Sequence, residues 1–109
     1  MIFSPGDIIN LNFTPAAGHE PLGFRPALVV SRLRFNTGTS MTIVCPITTT
    51  DNGFPLHFSL PDGLETVGFV ALEQIRAVDT SARQATLIES VGANSSFMDD
   101  VRQCVHSFM

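Results

Sequence analysis

The sequence predicts an α+β fold, mainly β: a small barrel with one helix at the C-terminus. Three observations carry that expectation. Short apolar or alternating runs recur along the chain, separated by turn-forming residues every 8–12 positions or so, which is the pattern of a compact barrel or sandwich. The period then changes at the end, where Phe97, Val101, Cys104, Val105 and Phe108 fall on one helical face. Finally, 109 residues with 44% hydrophobic content suit one domain, residues 1–109, with one core.

Asp7 to Phe13 alternates apolar and polar residues and reads as a strand with one wet face. Thr14 to Gly23 is rich in Pro and Gly and reads as a loop. Ala27 to Leu33 is a nearly continuous apolar run, a buried strand, and Pro26 fits only at its start, where the missing N–H does no harm. Phe35 to Ser40 reads as a turn. Met41 to Thr49 is a strand broken or bulged at Pro46, and Thr50 to Gly53 is a turn carrying an Asn-Gly pair. Leu56 to Leu60 alternates again. Val67 to Leu72 reads as a buried strand, followed by Gln74 to Asp79, and Ala85 to Ser90 is the last strand. Ser96 with Asp99 three residues on approximates a capping box, and Asp99 and Asp100 favour the positive end of the helix dipole. A helix of about three turns is marginal alone, so it must pack on the sheet.

Composition bounds the function. The net charge is −4, which argues against indiscriminate nucleic-acid binding. All six basic residues are Arg, and Arg25, Arg32 and Arg34 lie in a stretch, Pro21 to Thr50, without a single acid. A locally basic face suited to bidentate phosphate recognition is compatible with that distribution. The mean hydropathy of +0.25 is high for so short a soluble chain and points to burial of surface in a dimer. Cys45 and Cys104 read as buried free thiols. No apolar run approaches the roughly 20 residues that span a bilayer. Met1 to Asp7 lacks the basic and apolar regions of a signal peptide, so the cytoplasm is the expected compartment.

The chemistry-bearing residues cluster around Gly18 to Ser31. His19 and Glu20 sit in the loop, and Arg25 opens the strand behind it, where a rigid backbone can aim a guanidinium at a phosphate; an ion pair of Arg25 with Glu20 or Asp7 is the structural alternative. His19 or Glu20 could take a proton from a ribose 2′-OH, or could merely cap the loop. Thr48 begins a triple threonine at a strand end and offers a hydroxyl to a phosphate oxygen, or is a β-favouring edge residue. Glu73-Gln74 follows a strand and could meet a base edge or position Arg25, or form a satisfied surface pair. Arg76 and Arg83 read as surface charges, and His57 and His106 hold ordinary positions. No His/Cys/Asp/Glu spacing fits a metal and no phosphate-binding Gly loop occurs, so no metal and no cofactor is expected.

In order along the chain, Gly6-Asp7-Ile8-Ile9, Phe13-Thr14-Pro15, Gly18-His19-Glu20 through Arg25-Pro26-Ala27-Leu28-Val29-Val30-Ser31, Val44-Cys45-Pro46-Ile47-Thr48-Thr49 and Gly68 through Arg76 resemble the blocks of the MazF/PemK (Kid) toxin family. The resemblance implies an SH3-like barrel of the CcdB/PemK type working as a homodimer. It also implies a type II toxin that cuts single-stranded RNA, mostly mRNA, at short sequences without metal, leaving a 2′,3′-cyclic phosphate and a 5′-OH. The family's Arg falls on Arg25, its Thr on Thr48, the loop His of PemK-like members on His19 and the loop Glu on Glu20. Thr49, Glu73, Gln74 and Arg76 fall where RNA contacts are expected. Where PemK-like members carry a catalytic Arg and an Asp, this chain has Ala71 and Glu73. The implied partners are single-stranded RNA and an antitoxin whose disordered acidic tail folds over the groove; no membrane is implied. Two other readings of the same fold are a CcdB-like gyrase poison, against which the lack of Trp counts, and an SH3-like binding module.

Overall fold

The computed structural model describes residues 1–14, 23–50 and 53–109. Its elements run β1 (Asp7–Asn12), β2 (Phe24–Val29), α1 (Leu33–Thr39), β3 (Thr42–Thr48), β4 (His57–Ser59), β5 (Phe69–Ala71), a 3₁₀ turn (Leu72–Gln74), β6 (Arg76–Val78), β7 (Thr86–Ser90) and α2 (Ser96–Phe108). The strands pair antiparallel in the order β4-β5-β3-β2-β1-β7, with β6 added to the first half of β3. The architecture is thus a mainly β antiparallel sheet with two helices, one of them C-terminal.

Strand periodicity divides the core. In β1 and β2, Ile8 and Leu28 face one way, with Cys45, Ile47, Val70 and Leu72, and α2 closes this side through Met98 and Val101. Ile9, Leu11, Ala27 and Val29 face the other way, with Phe3, Phe13, Val44 and Val78. The continuous apolar run in β2 follows from this: Ala27, Leu28 and Val29 are all fully buried because both faces of the strand are covered.

β3 does more than the other strands. Its first half pairs β6 and β2, and its end pairs β5. Pro46 stands where the partner changes from β6 to β5, and the strand continues through it rather than breaking. A residue without an N–H suits this handover.

Besides the unbroken passage through Pro46, the sequence expectation differs from the structure in four places. The run Ala27 to Leu33 leaves the sheet after Val29, and Leu33–Thr39 is a helix where a turn over Phe35 to Ser40 was expected. The cause is Asn36: its buried amide donates to the Phe3 carbonyl at 2.8 Å and its Oδ1 accepts from the Ser31 hydroxyl, which itself accepts from Ile43 N at 2.8 Å. That tertiary anchor fixes a segment that local propensity leaves open. Ser40, at φ 60°, ends the helix in the left-handed region. The strand expected over Val67 to Leu72 is confined to Phe69–Ala71 because Leu72 opens the 3₁₀ turn. Ser95, not Ser96, caps α2, its hydroxyl accepting from Met98 N at 3.3 Å. Most of the Thr14 to Gly23 loop and the Asp51-Asn52 turn lie outside the described residues.

Candidate functional site

The pairing register assembles the site. Ala27 lies opposite Pro46 and Leu28 opposite Cys45 in the β2–β3 ladder. The ladder ends there; Arg25 lies two residues from Ala27 on β2 and Thr48 two residues from Pro46 on β3, so alternation turns both toward the side that Ala27 and Pro46 share. Residues directly opposite in an antiparallel pair share a face, so the guanidinium and the hydroxyl project from one side of the sheet. Arg25 is exposed and Thr48 half-buried. On its other edge β2 places Arg25 beside Leu11, a fully buried residue of β1, which supplies a rigid floor.

The row continues across the sheet. Thr48 pairs with Phe69, and Phe69 with Ser59. In the next row Ala71 pairs with His57. Alternation therefore puts Arg25, Thr48, Phe69, Ala71 and His57 on one face. Ala71 is buried and brings no charge. Thr49 follows Thr48 and is exposed, and the Thr48 hydroxyl accepts from Thr50 N at 3.2 Å.

Arg76 lies opposite Val44 on β6, and its guanidinium sits 5.9 Å from the centre of the Phe13 ring. It is half-buried, not the surface charge its position in the sequence suggested, because the aromatic face gives the cation a place to pack. Arg83 is likewise built in: its Nη1 donates to the Asn12 carbonyl at 3.0 Å and the Thr14 carbonyl at 3.4 Å, pinning the chain where β1 ends.

Glu73 and Gln74 occupy the 3₁₀ turn, Gln74 half-buried and Glu73 bound to His57. His57 Nε2 donates to Glu73 Oε2 at 2.9 Å, with the His57 side chain only 7% exposed and that of Glu73 27%. Phe54 packs edge-on against the imidazole, ring centres 5.5 Å apart. Sequence reasoning missed His57. The signal it offered was an isolated His on an alternating strand, and only the β4–β5 register brings it to Glu73, sixteen residues away.

His19 and Glu20 lie outside the described residues. Among the described residues, no three His, Cys, Asp or Glu side chains stand close enough to hold a metal ion, and no helix is long and apolar enough to cross a membrane. Cys45 is free, and burial, then the nearby Glu73 carboxylate, push its thiol from 9.0 up to about 12.

Comparison with known proteins identifies the family. Residues 4–109 match the profile of the family described as PemK-like, MazF-like toxin of type II toxin-antitoxin system. The chain is 41% identical over 92 residues to the endoribonuclease toxin ChpB of Escherichia coli, covering 79% of this chain and 78% of that one. It is 37% identical over 81 residues to the endoribonuclease toxin MazF of Escherichia coli, covering 74% and 72%. Among solved structures, MazF of Deinococcus radiodurans superimposes with a TM-score of 0.88 at 34% identity, covering 99% of this chain and 96% of that one. The MazE–MazF complex of the same organism contains a chain that matches with a TM-score of 0.84. With its profile, its relatives and its fold in agreement, this chain belongs to the family of PemK-like, MazF-like toxins of type II toxin–antitoxin systems.

Proposed function

We propose that this MazF-like endoribonuclease toxin cuts single-stranded RNA at Arg25 and Thr48 by attack of a ribose 2′-OH on the adjacent phosphorus. The observation that supports the proposal is the β2–β3 ladder, which pairs Ala27 with Pro46 and leaves Arg25 and Thr48 each two residues beyond it, on the same side by alternation. A guanidinium and a hydroxyl held in that way can grip two oxygens of one phosphate. As the 2′-oxygen bonds to phosphorus, a pentavalent phosphorane carrying additional negative charge forms. Arg25 stabilises that charge, and its always-protonated guanidinium suits this role rather than that of a base. Thr48 donates to a phosphate oxygen. Glu20 or His19 takes the 2′ proton or orients the group that does. The P–O5′ bond then breaks, leaving a 2′,3′-cyclic phosphate on one fragment and a 5′-OH on the other. The proton taken from the 2′-oxygen is delivered to the departing 5′-oxygen, so the step balances with the RNA alone, and the family resemblance implies that it runs without metal or cofactor. Thr49, Glu73, Gln74 and Arg76, which flank the Arg25–Thr48 face, contact unpaired bases and phosphates of the RNA.

The same reading implies a homodimer with an SH3-like barrel in each subunit, and an antitoxin with an acidic tail that folds over the groove. The exposed apolar side chains Ile2, Leu33, Phe35 and Met109 support the first of these. The likeness to MazF in the MazE–MazF complex of Deinococcus radiodurans supports the second.

The test is incubation of the purified protein with a long unstructured RNA in excess EDTA, wild type beside Arg25→Ala. Discrete fragments with 5′-OH ends from the wild type, with the rate lowered about 100-fold or more in the variant, are expected. Near-full activity of Arg25→Ala overturns the role given to Arg25, and RNA left intact by the wild type overturns the reading as a whole.

A further inference from the structure

By alternation the His57 side chain shares a face with Thr48, two strands away across β5. His57 lies on β4 opposite Ala71, one row from the line Ser59–Phe69–Thr48. Glu73 sits two residues past Ala71 in the 3₁₀ turn. The two elements are tied by backbone as well: Leu72 N donates to the Leu56 carbonyl at 3.1 Å.

An ionised carboxylate only accepts, so the 2.9 Å bond fixes the imidazole as donor through Nε2–H. The other ring nitrogen, Nδ1, is then buried without a hydrogen-bond partner among the described residues. A buried polar atom left unsatisfied is destabilising. A side chain that served only to fill the space beside Phe54 would be better apolar. What the imidazole does in this structure is hold Glu73. The carboxylate loses its rotational freedom, yet keeps lone pairs beyond the His57 bond on a side chain that is 27% exposed.

A fixed, partly exposed acceptor, held by a side chain that shares the face of Thr48, is suited to reading a base. Unpaired RNA bases are recognised along their Watson–Crick edges, and a carboxylate accepts from an exocyclic amino group, as with the N4 amino of cytosine. Adenine, cytosine and guanine each present such a donor. Uracil presents two carbonyl oxygens flanking one N–H, and those oxygens repel a carboxylate. We infer that His57 is a positioning residue that presents Glu73 as the acceptor for an amino-bearing base, so that the pair excludes uracil at one position of the recognised RNA sequence. The inference rests on the ribonuclease reading above and adds to it a determinant of sequence choice.

The experiment profiles cleavage sites in a randomised RNA pool for the wild type, Glu73→Gln, His57→Leu and His57→Gln. KM and kcat follow on one matched oligonucleotide and on its uracil-substituted counterpart. In Glu73→Gln the discrimination against uracil at one position falls at least tenfold, because the amide can donate to uracil carbonyls. His57→Leu shows the same loss of discrimination, mainly through a raised KM on the matched RNA. His57→Gln, whose amide N–H can reach Glu73, restores most of it. A His57→Leu profile identical to the wild type overturns the inference, and so does a uniform fall in rate at all sites with the profile unchanged, which marks a structural role only. Should His57→Leu fail to fold, the isosteric Glu73→Gln decides: an unchanged profile overturns the inference. A wild type that cuts no RNA removes the underlying ribonuclease reading, an outcome distinct from a wild type that cuts while its variants keep its profile.

Discussion

Gly68 abuts the backbone of Thr48 so closely that a Cβ on Gly68 would stand 2.4 Å from the Thr48 carbonyl oxygen. Its φ of +138° is also one that side-chain-bearing residues rarely adopt. The carbonyl of Gly68 meanwhile accepts from Leu60 N at 3.0 Å, so the glycine cannot simply move away. Thr48 therefore owes its position at the end of β3 to the absence of an atom on the neighbouring strand.

It follows that Gly68→Ala damages stability and activity together. Strain at the positive φ alone costs about 1–3 kcal/mol, and the displaced Thr48 carbonyl adds to it. The urea midpoint should fall by the equivalent of about 2 kcal/mol or more, and RNA cleavage by the folded fraction should drop at least tenfold. A variant with wild-type cleavage would show that the placement of Thr48 does not matter.

Asn36 is the second sensitive point. Asn36→Ala removes the donor to the Phe3 carbonyl and the acceptor of the Ser31 hydroxyl, both in the interior. Each buried group left without a partner costs about 1–3 kcal/mol. The expected loss is about 2–4 kcal/mol by equilibrium denaturation, with α1 the first region to lose amide protection in hydrogen exchange. Exposed neighbours on the same helix, such as Thr37, should tolerate alanine at a cost of about 0.5 kcal/mol or less.

Cys45 makes stability depend on alkaline pH. Its thiol is pushed from 9.0 to about 12 in the fold. The unfolded chain therefore ionises first as pH rises. Stability from this group is complete below pH about 9 and is lost as pH climbs toward 12. The chain has neither Lys nor Tyr, so few other groups titrate in that window. Cys45→Ala should flatten the fall in stability above pH 9, measured by denaturation at a series of pH values, whatever it does to stability at neutral pH.

Glu89 acts in the opposite direction. Its carboxylate accepts from the Thr66 hydroxyl and backbone N, both at 2.7 Å, and from Glu65 N at 3.1 Å. Bonds from Thr66 chiefly hold its carboxyl below the usual range. The unfolded state thus takes up the proton at higher pH than the folded state. The contribution is present above pH 4.5 and disappears as pH falls through the lower folded value. Glu89→Gln should remove part of the acid-side dependence of stability, and a Glu89→Gln curve parallel to wild type at low pH would refute this role.

How much of this was legible beforehand follows the range of the interactions. Strand identity came through, because alternation and apolar runs are local and periodic. The strand ends on which Arg25 and Thr48 lie were legible, because Pro26 and the threonine run mark them, whereas the roles proposed for the two residues came from the family resemblance. The α1 helix was not, since its anchor, Asn36 to Phe3, spans 33 residues and leaves no local trace. His57 was invisible for a similar reason: an isolated imidazole acquires meaning only when β4 and the 3₁₀ turn meet. Arg76 misled because an aromatic partner distant in sequence, Phe13, buries a charge that composition alone places in water.

The pairing of β1 with β7 joins Asp7 to Ser90, strands made early and late along the chain. At roughly 5–20 residues per second, a ribosome needs several seconds or more between making the one and the other. Throughout that interval β1, which floors the Arg25 strand, lacks its outer neighbour. A toxin of this fold thus lacks its complete sheet until Ser90 has been made, and the floor beneath Arg25 is the last part of the sheet to be hemmed in on both sides.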